Sequence, residues 1–180
     1  MGRDKSALLV DGEPLWKHQL ATLRATQPAE IFISGKIDGP YAGCGVEILA
    51  DEFPDCGPLG GIATALRRCQ SDRLLVLAVD MPAMTADFLR ALLVESQQHA
   101  TGIVPALASD GMLEPLATIY LRAGLAVAEE CLRTGERKLE TFIRALEAQG
   151  LAIIRPVEGE EAVLFTNWNK PRDVPSPHGE

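Results

Sequence analysis

The sequence predicts an α/β domain built on a mainly parallel sheet. Strand-like and helix-like segments alternate along the chain. The run "RLLVLAVD" (73–80) is apolar almost without interruption, the pattern of a strand covered on both faces. Two helical segments late in the chain each close on a glycine, as helices do before returning to a sheet. With 180 residues and 47% apolar content, one domain with one sizeable core is expected, with no internal repeat.

Each element follows from its local pattern. "SALLV" is a short apolar run ended by the turn dipeptide Asp11-Gly12. Leu15, Trp16, Leu20 and Leu23 recur at helical spacing after Pro14, which suits a first helical turn, and Trp16 is expected in the core. "EIFISG" and "VEILAD" read as strands, and "GPLGGIATALRRC" starts glycine-rich and becomes a helix. After strand 73–80, "TADFLRALLVESQQ" is an amphipathic helix with Thr85 as N-cap and Phe88, Leu89, Leu92 and Leu93 on one face. "TGIVPAL" and "PLATIYL" are strands about the turn Ser109-Asp110-Gly111. "AGLAVAEECLRTG" and "KLETFIRALEAQG" are helices, and "LAIIRPV" and "AVLFTN" are late strands. The domain is expected over 1–174, with a polar tail at 175–180.

Composition narrows the function. A net charge of −8 argues against a sequence-independent grip on nucleic acid, which needs basic surface. It leaves room for a nucleotide, because N–H groups and one lysine can hold phosphates inside an acidic protein. Cys44, Cys56, Cys69 and Cys131 form no CxxC pair and the three histidines no HxxxH, so zinc is not expected and the cysteines are expected reduced. No run of about 18 apolar residues predicts a membrane span, and no apolar signal segment follows a basic start. The expected location is the cytoplasm, with no membrane partner.

In parallel sheets ligands bind at the carboxyl ends of strands, and several motifs fall there. Asp80 closes strand 73–80 before Pro82, where a carboxylate can hold Mg²⁺ against phosphates or simply cap a helix. Gly57, Pro58, Leu59, Gly60 and Gly61 precede a helix, so they form either a phosphate-approaching loop or an ordinary tight turn. Asp51 ends "VEILAD" and can take a ribose hydroxyl or a metal-bound water, or stand as a solvated loop acid. Lys5 can neutralise a phosphate in transfer or be a terminal lysine. Asn167 and Asn169 share one face of an extended segment and can offer amides to a polar ligand such as a pterin or base, or close a turn before Pro171. Arg137 and Lys138 follow Gly135 as a basic turn able to meet an anion. His18, His99 and His178 have no evident partner, and no GxSxG or Cys–His arrangement supports acyl hydrolysis.

Taken in order, "MGRDKSALLVDGEPLWKHQL", "EILADEFPDCGPLGGIATAL", "LLVLAVDMPAM", "MLEPLATIYLRAG", "TGERKLETFI" and "FTNWNKPRD" resemble the molybdenum cofactor guanylyltransferases. These are nucleotidyltransferases of the nucleotide-sugar pyrophosphorylase type. The likeness covers nearly the whole chain; each motif is modest, but their order and spacing are specific. It implies a three-layer α/β/α, Rossmann-like fold of the nucleotide-diphospho-sugar transferase type. It implies transfer of GMP from GTP to molybdopterin with release of pyrophosphate. Lys5 matches a phosphate-contacting lysine, Asp51 a nucleotide-contacting aspartate, Gly57–Gly61 the loop near the nucleotide, and Asp80 the aspartate that binds Mg²⁺ and GTP. Ser34 stands where relatives often carry asparagine at the nucleotide site. Asn167 and Asn169 match a segment facing molybdopterin, and Arg137 is grouped with them. Expected protein partners are molybdenum insertion proteins and molybdoenzyme chaperones.

The departure lies at the front. The family begins with a strand, a Leu-Ala-Gly-Gly loop and an arginine-bearing segment before Met-Gly-x-Asp-Lys, and here Met1 takes the place of that internal methionine. The expectation is a late-placed or clipped start, with the first strand missing from the centre of the sheet. Two other readings stay open: a cytidylyltransferase or sugar-phosphate nucleotidyltransferase, and a truncated, non-catalytic binding module.

Overall fold

A computed structural model describes residues 9, 10 and 12–167. Lys5 and Asn169 lie outside the described residues. A short hairpin, β1 (Leu9–Val10) and β2 (Glu13–Pro14), leads into α1 (Leu15–Ala25). Then come β3 (Phe32–Ser34), β4 (Glu47–Leu49), α2 (Gly57–Arg68), β5 (Arg73–Leu77), α3 (Ala86–His99), β6 (Gly102–Leu107) and β7 (Ala117–Leu121). A 3₁₀ turn (Arg122–Gly124) enters α4 (Leu125–Arg133), followed by α5 (Leu139–Ala148), β8 (Ala152–Val157) and α6 (Glu160–Val163).

The main sheet has four strands in the order β5-β7-β6-β8. β7 runs antiparallel to both β5 and β6, and β6 runs parallel to β8, so β5, β6 and β8 share one direction. β3 and β4 form a separate parallel pair. The antiparallel strand follows from the Ser109-Asp110-Gly111 turn: Gly111 has φ +72°, and the Asp110 carboxylate accepts the Met112 N–H at 2.9 Å.

Alternate side chains of the central strands feed two cores, the signature of a three-layer α/β/α arrangement. Val104 and Tyr120 pack with Leu59, Leu66, Phe142 and Leu146 of α2 and α5. Ile103 and Ile119 pack on the other face with Phe88, Leu89 and Leu92 of α3. Each fully buried leucine contributes about 2 kcal/mol to stability by leaving water. Thr85 caps α3 as expected, accepting the Phe88 N–H at 3.3 Å.

Four expectations are corrected. "AVLFTN" is no strand: α6 and a turn occupy it, launched by Gly159 at φ +59° with Glu160 and Glu161 in the first turn. Strand 73–80 is shorter than expected, because β5 ends at Leu77 and the chain turns before Asp80. β5 is also only half-buried along its length and, among the described residues, shares a cavity with β3. Trp16 is half-buried, with its ring edge-on to Tyr41 at 5.6 Å.

Candidate active site

α2 begins at Gly57, so the glycine-rich stretch forms its first turn rather than a loop ahead of it. Pro58 sits in that turn, where its missing N–H costs nothing. No acidic residue occupies the turn and no side chain caps it, so its N–H groups keep their capacity for an anion. Gly57 has φ +62°, which a side chain would resist.

The next two glycines bring carboxylate and hydroxyl against the helix. A Cβ on Gly60 would stand 2.8 Å from the Phe53 carbonyl oxygen and 3.0 Å from Asp51 Oδ1. A Cβ on Gly61 would stand 2.7 Å from Ser34 Oγ. Asp51 and Ser34, at the carboxyl ends of β4 and β3, thus abut the start of α2. Leu59 is fully buried in the core and does not line this surface.

Asp51 is oriented by its neighbours. Oδ1 accepts the Phe53 N–H at 2.8 Å and lies 3.5 Å from Thr64 Oγ1. The Thr64 hydroxyl also lies 2.9 Å from the Gly60 carbonyl and accepts the Glu52 N–H at 3.1 Å. Sequence reading missed Thr64; its signal is a buried hydroxyl one helical turn after Gly60. Arg137 Nη1 donates to the Asp55 carbonyl at 2.8 Å, tying the basic turn to the loop before α2. Asp55 itself has φ +62°.

Asp80 sits three residues beyond β5, half-buried, at the same mouth. α1 fixes its turn from below. Gln19 Nε2 donates to the carbonyls of Ala78 (3.2 Å) and Met81 (2.5 Å), and His18 Nε2 lies 3.1 Å from the Pro82 carbonyl. His18 therefore has a partner that the sequence did not reveal. A cavity of about 840 Å³ is lined jointly by Ser34, Asp51, Gly57, Pro58, Gly61 and Asp80. Nearby Glu114 is buried, and burial first, then the negative charges of Asp110 and Asp80, pushes its carboxyl up to about 7. Sequence reading did not single it out.

Asn167 is exposed at the end of the described residues. Among the described residues no three His, Cys, Asp or Glu side chains cluster to hold a metal ion. Asp51 and Asp80 nonetheless line one cavity with hard oxygen donors, a set that suits Mg²⁺ when a triphosphate supplies further oxygens. Cys44, Cys56, Cys69 and Cys131 form no disulfide in the structure. No helix among the described residues is long and apolar enough to cross a membrane.

A helix N-terminus, two carboxylates and a hydroxyl at the carboxyl edge of a mainly parallel sheet define a nucleotide-handling α/β domain. Residues 1–150 match the family model described as the MobA-like NTP transferase domain, and the chain belongs to that family of nucleotidyltransferases. A probable molybdenum cofactor guanylyltransferase of Opitutus terrae is 36% identical over 176 residues, covering 96% of this chain and 86% of that protein. One from Methanothermobacter thermautotrophicus is 32% identical, covering 97% and 90%. Among solved structures, molybdopterin-guanine dinucleotide biosynthesis protein A of Archaeoglobus fulgidus superposes with a TM-score of 0.75 at 22% identity, over 96% of this chain and 90% of that one. The 2-C-methyl-D-erythritol 4-phosphate cytidylyltransferase of Thermus thermophilus gives 0.70 at 21%, over 94% and 89%. These two likenesses bear on the fold, and they support the nucleotide-diphospho-sugar transferase architecture.

Proposed function

We propose that the chain transfers GMP from GTP to the phosphate of molybdopterin. The observation that carries this reading is the convergence of Ser34, Asp51, Asp80 and the α2 N-terminus on one cavity, in a family whose curated relatives are named guanylyltransferases. A molybdopterin phosphate oxygen attacks the α-phosphorus of GTP, the bond from that phosphorus to the bridging oxygen breaks, and pyrophosphate leaves with the electron pair. The attacking phosphate is already ionised at neutral pH, so no general base is required. Catalysis rests on alignment and charge neutralisation.

In this reading Asp80 is the residue that would hold Mg²⁺, which when bound would supply charge neutralisation for the triphosphate. The first-turn N–H groups of α2 orient phosphate, and Gly60 and Gly61 allow close approach. Asp51 and Ser34 meet the nucleoside. Lys5 offsets charge at the α-phosphate. Asn167, Asn169 and Arg137 serve the molybdopterin side. The domain spans 1–174. The product is handed to molybdenum insertion proteins or molybdoenzyme chaperones in the cytoplasm.

The test is pyrophosphate release from GTP, CTP, ATP and UTP, each supplied with molybdopterin and Mg²⁺. GTP is expected to lead by at least about tenfold, the discrimination of one or two well-placed hydrogen bonds to the base. Preference for CTP would move the chain to the cytidylyl reading. Release from none would support the non-catalytic one.

A further inference from the structure

Glu114 is a buried carboxyl that the proposed transfer leaves without a task. It is 7% exposed, enough for a ligand to reach it and too little for water to solvate it fully. Among the described residues its carboxyl meets no hydrogen-bond donor and no cation, and the charges that act on it, those of Asp110 and Asp80, are both negative. Its backbone, by contrast, is fully engaged. The N–H donates to the Pro105 carbonyl at 2.8 Å, and the carbonyl accepts the Ala117 N–H at 3.1 Å and the Thr118 hydroxyl at 2.8 Å. On either side, Leu113 bridges to Ala106, and the Leu116 carbonyl accepts the Ala78 N–H at 2.7 Å. The loop is held firmly while its one acidic side chain goes unused. A buried carboxyl without donors costs stability, and such groups concentrate where a ligand brings the donors.

Its place in the fold says what that ligand offers. β7 pairs antiparallel with β5, with Ala117 beside Leu77, so the start of β7 lies at the carboxyl end of β5. Glu114 thus flanks Asp80 from within the four-stranded sheet. Ser34 and Asp51 instead close the strands of the separate β3–β4 pair and abut α2. The two sides are chemically unlike. The α2 side presents helix N–H groups, which suit phosphate. The Glu114 side presents carboxyl groups, which repel phosphate and attract N–H donors. A carboxylate is filled best by two parallel N–H groups in one plane. The 2-amino-4-oxopyrimidine edge, a ring N–H beside an amino group, supplies that pair. Guanine and pterin both carry it.

We propose that Glu114 binds the 2-amino-4-oxopyrimidine edge of a substrate, its two oxygens accepting the ring N–H and the amino N–H. Because it stands on the β7 side of Asp80, away from Ser34, Asp51 and the α2 N-terminus, the edge it takes is that of the pterin acceptor and not that of the guanine of GTP. The assignment to the acceptor rests on the guanylyl-transfer reading. Recognition of the edge does not, because it is read by binding alone.

The experiment uses the 180-residue chain at pH 8, above the value of about 7 at which this carboxyl ionises. Binding of 6-hydroxymethylpterin, followed by its fluorescence, is compared with that of 6-hydroxymethyllumazine, which has a carbonyl in place of the amino group. Binding of GTP is compared with that of ITP, which lacks the amino group of guanine. The expected result is pterin held about tenfold or more tighter than lumazine, because a site built for two donors rejects an analogue that presents an acceptor. That ratio should fall to near one in Glu114→Gln, which offers one acceptor and one donor, and survive in part in Glu114→Asp, which keeps the carboxylate. The GTP-to-ITP ratio should be the same in wild type and variants. A GTP-to-ITP preference that collapses in Glu114→Gln, with pterin and lumazine bound alike throughout, would overturn the pterin assignment and give the edge to guanine. Wild type that distinguishes neither pair, ratios that Glu114→Gln leaves unchanged, or equal weakening of both members of each pair would overturn the proposal outright. Pterin preference in a chain that makes no dinucleotide would strike the transfer reading and leave this one standing.

Discussion

Glu114 shows how much one side chain can set. Its carboxyl is held at about 7 against an ordinary 4.5, by burial and by the charges of Asp110 and Asp80. The folded chain therefore binds a proton that the unfolded chain has released, between pH 4.5 and about 7. Stability from this group is fully present below the lower value and is lost as pH rises through the upper one, by up to about 3 kcal/mol. Urea titrations at pH 5 and pH 8 should show this fall in the wild type and a much smaller one in Glu114→Gln. A pH dependence unchanged by the substitution would contradict the assignment. Gly61 makes a second prediction. A methyl there meets Ser34 Oγ at 2.7 Å, so Gly61→Ala must displace Ser34 or the start of α2. It should raise KM for nucleotide by about tenfold or more, the effect of misplacing a binding group by a fraction of an ångström, while Gly61→Ala with Ser34→Ala should recover part of the loss. Sequence reading found both glycines by their spacing. It could not find Glu114, Gln19 or Thr64, because burial of a polar side chain is decided by tertiary packing rather than by neighbours in the chain.

At the scale of elements, local patterns served well where they were long. α3 was legible from its apolar face and from Thr85, and the cap is present. Thr85→Ala should lower stability by about 1 kcal/mol, read as a urea midpoint shift with unchanged slope. A loss below a few tenths would mean that the cap is replaced by another acceptor. The failures lie in short elements. "AVLFTN" carries an apolar run of strand type, but α6 has only four residues, too few for helical periodicity to register. The glycine motif was placed ahead of the helix and is its first turn. Helix boundaries depend on φ at Gly57 and on the docking of Asp51 and Ser34, neither of which is written locally. Arg137 was grouped with substrate contacts on a likeness; its bond to Asp55 adds a positioning role for the loop that leads into α2.

At the scale of the whole molecule, alternation of strands and helices gave the α/β class, and the Ser109-Asp110-Gly111 turn was placed between two strands, but the antiparallel direction of β7 in the four-stranded sheet was not foreseen. The sheet order was not legible, since pairing across crossovers is settled by packing of α2, α4 and α5 on one face and α3 on the other. β5 carries an uninterrupted apolar run yet is half-buried, and among the described residues a gap separates it from β3. The same gap opens toward the cluster of Ser34, Asp51, Asp80 and the α2 N-terminus, so the edge of the sheet and the nucleotide site are one region. In the proposed function this region transfers a nucleotidyl group. That transfer is tested most directly by incubating the chain with α-labelled GTP, molybdopterin and Mg²⁺ and separating labelled molybdopterin-guanine dinucleotide from GTP. Labelled dinucleotide with matching pyrophosphate is expected from the wild type, with a loss of about 100-fold or more in Asp80→Ala of unchanged thermal stability. No dinucleotide from a folded wild-type chain, or full activity in Asp80→Ala, would contradict it.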